Sequence, residues 1–221
     1  MKKLNLTAPV TTFEYKSEYL PTKNKKIILR QCVNRDAYLL LDAQDTLPPN
    51  ATKEQYKKAK EDREHAIKQF VQNCVIDDID VGALPLFLIE DILLKIISAS
   101  NSNIRDISGK CTHCNGKLEF SINLDDVKVV NDSENVLDKV YKLSDDIAIV
   151  LKMPTADDGM PDSNWTTTDF LKTCIESICN GDEVYYVDGE LDISDFIDSM
   201  GFADVTNIMQ NWYAKQPHIY H

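Results

Sequence analysis

The sequence predicts an α+β protein: an N-terminal β-hairpin, a central helical segment, a small antiparallel sheet and C-terminal helices. Three observations support this class. The runs around Phe13–Tyr19 and Ile27–Val33 flank the turn-forming letters PTKNKK, as in a β-hairpin. After Thr52, apolar residues recur every three or four positions, which indicates a helix with one buried face. Further on, the letters KLEFSINL alternate apolar and polar side chains, which is typical of a half-buried strand.

The first half of the chain is expected to be largely helical. Residues 35–46 are apolar enough for a short helix, which the Pro-Pro pair that follows would end. Thr52 and Gln55 have the spacing of a reciprocal N-terminal cap, so the next helix should begin there and run to about Asn73. The most apolar stretch predicts a buried core helix at residues 86–99, because it is too short and too charged to span a bilayer.

The second half is expected to combine a small sheet, at about residues 104–153, with helices. We expect, in order, a strand over residues 139–153, a helix from Thr166 to Asn180, a strand over 183–187, a helix that Ser194 caps and that runs through Met200, and a last helix carrying Phe202, Val205, Ile208, Met209 and Trp212. The elements can be grouped as a hairpin plus helical region at 1–103 and a sheet plus C-terminal helices at 104–221. One continuous domain remains the alternative.

Charge and cysteine content exclude several classes of function. The formal net charge is −12, so the chain lacks the cationic surface that binding to a nucleic-acid backbone requires. The N-terminus has no apolar run long enough for a signal peptide, and the six cysteines form no regular disulfide framework. We therefore expect reduced thiols in a cytoplasm, with neither nucleic acid nor membrane as a partner.

The segment GKCTHCNGKLEF holds the one motif with metal-binding chemistry. Cys111 and Cys114 have the spacing of half a zinc ribbon, but a tetrahedral site takes four ligands and the sequence has no second such pair. His218 and His221 are one way to complete the site, and a zinc ion shared between two chains is another. The favoured interpretation is a plain hairpin, turned by Asn-Gly, with free thiols at its tip. We therefore expect no cofactor, with a zinc-binding interaction module as the alternative function.

The sequence does not predict an enzyme. A nucleophilic cysteine needs a histidine base beside it, and His113 is the one histidine near the cysteine pair in sequence. The motifs GxSxG and HExxH are missing, as is a glycine-rich phosphate loop.

Three blocks of sequence, in this order and spacing, resemble one family. The blocks are TFEYKSEYLPTKNKKIILRQCVNRDAYLLLDA, IKQFVQNCVIDDIDVGALPLFLIEDILLKIISAS, and CTHCNGKLEFSINLDDVKV followed by KLSDDIAIVLKMPT. The family is the baseplate hub subunits and hub assembly proteins of large, T-even-like contractile-tailed bacteriophages. The resemblance covers roughly residues 10–155. Matching positions are Pro21, Lys25, Lys26, Cys74, Asp77, Asp78, Asp80, Leu84, Pro85, Leu124, Asp145, Asp146 and Pro154. Asn24 stands where the family hairpin commonly has glycine, so the turn type stays open.

The resemblance implies a protein that helps to build the central hub of a phage tail, as a permanent part or as an assembly chaperone. Its partners would be other hub and tail subunits, and its location the virion baseplate, the infected host cytoplasm, or both. A homo-oligomer stays open. Such a protein acts through interfaces, where aromatic anchors supply much of the affinity. We expect contact residues in the N-terminal hairpin and, at the C-terminus, at Trp212, Tyr213 and Tyr220, with a core position for Trp212 as the alternative.

Overall fold

A computed structural model describes residues 8–43, 50–100, 104–130, 139–160, 166–187 and 191–220. The chain forms two compact units. Unit 1 contains the described residues up to Val81 together with Leu88–Lys128, and unit 2 contains Gly82–Phe87 and the described residues of Val129–Tyr220. Helices and antiparallel strands occur in both units, which confirms the predicted α+β class.

Unit 1 contains two β-hairpins and most of the long helices. Its elements are β1 (Thr12–Lys16), β2 (Lys26–Arg30), α1 (Asn34–Asp42), α2 (Lys53–Cys74), α3 (Leu86–Ser100, of which Leu88 onward belongs to this unit), β3 (Ile104–Lys110) and β4 (Lys117–Asn123). A short 3-10 turn follows. The strand β5 (Lys128–Val130) comes next along the chain, and its residues Val129 and Val130 belong to unit 2. The predicted hairpin, capped helix and apolar helix are confirmed to within a few residues, whereas residues 44–49, after α1, lie outside the described part.

The β1–β2 hairpin is anchored to the core of unit 1. Tyr15, Ile27 and Leu29 share one face and are buried. The Tyr15 hydroxyl donates a 2.6 Å hydrogen bond to the buried carboxylate of Asp91 on α3. An Arg30 guanidinium on β2 makes two hydrogen bonds, of 2.7 and 3.1 Å, to the carboxylate of Asp36 on α1. This hairpin is therefore held by packing on one face and by buried polar contacts.

Helix α2 begins as its sequence predicts. The Gln55 amide donates to the Thr52 hydroxyl, and the Thr52 amide donates to the Gln55 side chain at 2.7 Å, so two otherwise free backbone donors are satisfied. The buried residues Phe70, Val71 and Cys74 lie near the C-terminal end of this helix. Packing is therefore concentrated in the last turns, and most of the N-terminal half remains in solvent.

Unit 2 is built around a four-stranded antiparallel sheet. Its elements are β6 (Lys139–Lys142), β7 (Ile147–Leu151), α4 (Thr167–Cys174), β8 (Ile175–Asn180), β9 (Glu183–Tyr186), α5 (Ser194–Ser199), α6 (Phe202–Asn207), a π-helical turn (Ile208–Trp212), a 3-10 turn (Tyr213–Lys215) and β10 (His218–Tyr220). The sheet order is β6-β7-β8-β9, and β10 pairs with β5 in a separate two-stranded sheet.

Two predicted elements of unit 2 were wrong. Residues 139–153 form a hairpin and not one strand, because Ser144-Asp145-Asp146 turns the chain and the Leu143 and Ser144 amides both donate to the Ile147 carbonyl. The helix that begins at Thr166 ends at Cys174, and the next six residues form β8. The apolar spacing of Ile175 and Ile178 fits a helix as well as a strand, and pairing with both neighbouring strands decides it.

The start of α5 also differs from its prediction. Ser194 is the first residue of the helix and not the cap, and its amide donates at 2.9 Å to the carboxylate of Asp192. Asp192 lies two residues before Ser194, so this contact is a local aspartate turn that leads into the helix.

Candidate docking surfaces

The β3–β4 hairpin has one apolar and one polar face. Its register pairs Ile107 with Phe120 and Gly109 with Leu118, and alternation places these four side-chain positions on the same face. On the opposite face, the Ser121 hydroxyl donates a 2.6 Å hydrogen bond to Asp106. The sequence predicts this alternation, and the predicted strand is present.

The apolar face of this hairpin is uncovered, which contradicts the predicted half-buried strand. Leu118 is 46% exposed and Phe120 is 53% exposed. The alternation of apolar and polar residues shows which side chains share a face, but it does not show whether another element of the chain covers that face. An isolated two-stranded hairpin is marginally stable, so a bare apolar face here indicates a surface for a partner.

The cysteine pair forms the tip of this hairpin. The Cys111 amide donates to the Gly116 carbonyl at 2.8 Å, and the Asn115 amide donates to the Cys111 carbonyl at 2.9 Å. Asn115 adopts a left-handed backbone conformation, with φ of 56°. The backbone amides of Cys114 and His113, and then the Cys114 thiol, hydrogen-bond to the Cys111 sulfur and lower the pKa of that thiol.

The sheet of unit 2 also has an unusual outward face. The register aligns Val140, Val150, Ser177 and Tyr186 in one row across the four strands, with Lys142, Ala148, Cys179 and Val184 in the next row on the same face. The other face carries Ile149, Leu151 and Ile178, which are buried. In an antiparallel sheet with one covered face, the second face is normally polar. This outward face has one charged side chain in its two rows, that of Lys142.

The outward face is bare at its edges. Tyr186 is 67% exposed, and Val140 and Val184 are also exposed, whereas Ser177 at the centre is buried. All four residues of β9 are exposed, and β9 ends the order of this sheet, so its outer edge pairs with none of the described strands. We call the two rows together with this edge the outer sheet face. Apolar side chains beside an open edge are features of a protein-binding surface.

The sequence does not identify the outer sheet face, because the apolar spacing of Ile175 and Ile178 predicts a helix where β8 lies. A signal was nevertheless present. The letters IAIVL and SICN place small and β-branched residues at alternate as well as intervening positions, which is typical of a strand with two apolar faces.

The predicted C-terminal contact residues have different positions. Trp212 is 3% exposed, so it is a core residue of unit 2, which is the alternative that the sequence left open. Tyr213 is half-buried and lies edge-on to Phe170, with ring centroids 4.5 Å apart. Tyr220 on β10 is exposed. Of the three aromatic residues, Tyr220 has the exposure that an anchor for a partner needs.

The chain that carries these surfaces matches the model of one known protein family. The family model described as T4 bacteriophage base plate protein matches residues 12–221. The chain belongs to this base plate protein family. This membership confirms the resemblance drawn from the sequence blocks and locates the protein with the tail of the phage particle. Comparison with curated proteins and with solved structures found no match.

In the described part of this base plate protein, no three His, Cys, Asp or Glu side chains come together as a metal-binding group. His218 belongs to unit 2, and His221 lies outside the described residues. No helix among those described has the length and apolar character to cross a membrane.

Proposed function

We propose that this base plate protein acts in the central hub, as a structural component or as an assembly chaperone, by docking to other hub and tail subunits. The observation that carries the proposal is the outer sheet face of unit 2. An apolar, partly bare sheet face beside an open edge strand is suited to bind a protein chain. Family membership makes other base plate components the expected partners.

The chemistry of the described side chains favours docking over catalysis. Cys74 and Cys174 are buried, and burial raises the pKa of each thiol to about 12, so neither is a ready nucleophile. A hollow of about 190 Å³ beside the β1–β2 turn is lined by Lys23, Lys26 and Asp77, among others. The Asp77 carboxylate accepts the Ile28 amide there, which gives this residue a structural role.

The docking proposal is tested by co-expression of the chain with the other hub subunits, followed by size-exclusion chromatography. We expect co-elution for the wild-type chain and its loss for Tyr186→Lys, because a charge at the outer sheet face would be desolvated in the contact. Tyr56→Lys on α2 is the matched control, since it makes the same change at another exposed tyrosine. Absence of a wild-type complex, or equal loss in both variants, would contradict the assignment.

A second measurement separates a permanent part from an assembly helper. Mass spectrometry of purified mature tails detects the chain if it stays in the virion. Its absence there, together with its presence in hub precursors from infected cells, assigns the chaperone role.

A further inference from the structure

We propose that the tip of the β3–β4 hairpin is half of a zinc site, which the same two cysteines of a second copy of this chain complete. The ligands are the sulfur atoms of Cys111 and Cys114 from each copy. This inference concerns contact between identical chains through unit 1, and it does not depend on the outer sheet face of unit 2.

The first support is the way the turn holds its two cysteines. The backbone of Cys111 closes the turn around the pair, because its amide donates to the Gly116 carbonyl at 2.8 Å and its carbonyl accepts the Asn115 amide at 2.9 Å. Both cysteines therefore lie in one closed turn at the hairpin tip, with the Cys-x-x-Cys spacing of two ligands to a structural zinc ion.

Gly116 keeps the second sulfur atom in place. A Cβ atom added at Gly116 would lie 3.3 Å from the Cys114 sulfur, which is a tight contact. Gly116 therefore leaves room for Cys114 beside Cys111, while the amide and carbonyl of Cys111 close the turn through Gly116 and Asn115.

The second support is the number of ligands. A structural zinc ion takes four, and each hairpin tip supplies two. The described part of the chain brings no third His, Cys, Asp or Glu side chain to the pair. A two-fold axis that runs along the hairpins places the tips of two copies together and supplies the remaining two thiolates, because a two-fold contact repeats the same surface on both chains.

The third support is the surface that continues from the tip. Leu118 and Phe120 belong to the bare apolar face that begins directly beside the turn. A second copy that lies side by side with the first, about a two-fold axis along the hairpins, can bury this face against its own, and a contact of like with like is what a two-fold dimer requires. A second copy of this chain would thus both cover the apolar face and complete the ligand set of the cysteine pair.

Charge at the tip is complementary to the proposed centre. A zinc ion with four thiolates carries a net charge of about −2. Lys110 and Lys117 are directly paired at the end of the hairpin next to the turn, and Lys117 also contacts Glu119. Two lysines from each copy place positive charge around the centre in a chain whose formal net charge is −12.

The binding step involves no oxidation or reduction. The protons of the four cysteine thiols pass to solvent, and four zinc–sulfur bonds form in their place.

The test uses the purified full-length chain, reduced and titrated with zinc alone. We expect one zinc ion per two chains by elemental analysis, a dimer by sedimentation, and a monomer with less than about a tenth of that zinc after chelation. Cobalt substitution should give the intense visible and sulfur-to-metal charge-transfer bands of tetrahedral thiolate coordination.

Cysteine variants locate the site. Cys111→Ser and Cys114→Ser should each lose both the zinc and the dimer, while their circular dichroism stays that of the wild-type chain. Cys32→Ser, at a half-buried cysteine of unit 1, is the matched control and should retain both. A zinc ion bound by a monomer, a dimer that survives chelation, an intramolecular disulfide in place of zinc binding, or no zinc uptake would each overturn the proposal.

These outcomes are separate from those of the hub docking test. Cys111→Ser should still co-elute with hub subunits in the co-expression experiment, whereas Tyr186→Lys should still bind zinc and form the dimer. Each variant thus loses one contact and keeps the other.

Discussion

The β1–β2 and β3–β4 hairpins are both antiparallel pairs with one apolar face, but only the first has that face buried within unit 1. Leu29 on β2 is fully buried, whereas Phe120 on β4 is about half exposed. The outward side of β1–β2 is charged, and Glu14 there lies within 2.8 Å of both Lys16 and Lys26. Sequence alternation thus defines a face, while the packing of neighbouring elements decides whether that face stabilises the fold or stays free to contact a partner.

The buried ion pair of the β1–β2 hairpin is its most sensitive point. Asp36 is fully buried, and its carboxylate accepts hydrogen bonds from Arg30 and from the Val33 amide. Asp36→Asn leaves the Arg30 charge without its partner, so we expect a loss of about 3–5 kcal/mol in the free energy of unfolding. Urea titration measures the loss. Asp42→Asn, at an exposed position of the same helix, is the control and should leave the urea midpoint unchanged. Equal midpoints for both variants would show that the Asp36–Arg30 pair does not stabilise the fold.

The cavity variant Leu29→Ala is expected to lower the free energy of unfolding by a similar or slightly smaller amount than Asp36→Asn. Removing a fully buried leucine side chain costs about 2–5 kcal/mol, because transfer free energy is lost and a cavity remains. Thermal unfolding followed by circular dichroism should show a clearly lowered Tm. A Tm within the error of wild type would mean that the hairpin is not packed as described.

Tyr15→Phe tests the polar anchor of the same hairpin. The change removes the 2.6 Å hydrogen bond to Asp91 and leaves that carboxylate with Lys95, whose Nζ is 3.9 Å from Oδ1. A lost hydrogen bond to a charged group corresponds to about 1.5–3 kcal/mol. Urea titration of Tyr15→Phe beside Tyr38→Phe, an exposed tyrosine on α1, isolates the contribution; equal stability of the two variants would refute it.

Lowering the pH should remove the contribution of the Asp36–Arg30 pair to the free energy of unfolding. Burial acts to raise the pKa of this carboxyl, but Arg30 and the Val33 amide outweigh burial, and the pKa falls below its ordinary value of 3.8. The pair therefore contributes fully above that value, and its contribution is lost as the pH falls through the lower pKa of the folded state. The stability difference between wild type and Asp36→Asn should shrink as the pH is lowered through this range. A difference that is constant with pH would contradict the assignment.

The smallest effect on stability is expected for Phe120→Ser in the bare hairpin. For the zinc-free monomer, the free energy of unfolding should change by no more than about 0.5 kcal/mol, because the side chain is already largely in solvent. In the zinc-bound state the same change should weaken the dimer, as sedimentation at decreasing concentration would show. A large loss in the monomer would mean that the chain itself covers Phe120.

The sequence predicted the elements whose signals are local. The Thr52–Gln55 cap of α2, the turn letters of β1–β2 and the apolar run of α3 each determine structure through neighbouring residues, and each is present. The strand β8 was not predicted, because Ile175 and Ile178 fit either period. The small and β-branched residues after Ile175 favour a strand, and pairing with distant strands decides the choice.

The candidate sites were only partly predictable for the same reason. Cys111 and Cys114 are close in sequence, so their joint position at a hairpin tip follows from spacing. Burial of Trp212, in contrast, depends on elements that pack against it from elsewhere in unit 2, and the sequence left both positions open. The outer sheet face needs the register of four strands, which no local pattern contains.

Hydrogen exchange measured by mass spectrometry tests the central claim most directly, with the zinc-free chain compared to the chain in its assembled complex. Our account predicts slow exchange at β1–β2 in both states, together with fast exchange at β3–β4 and β9 in the free chain that slows on assembly. Unchanged exchange at β3–β4 and β9, with new protection confined to other segments, would contradict it.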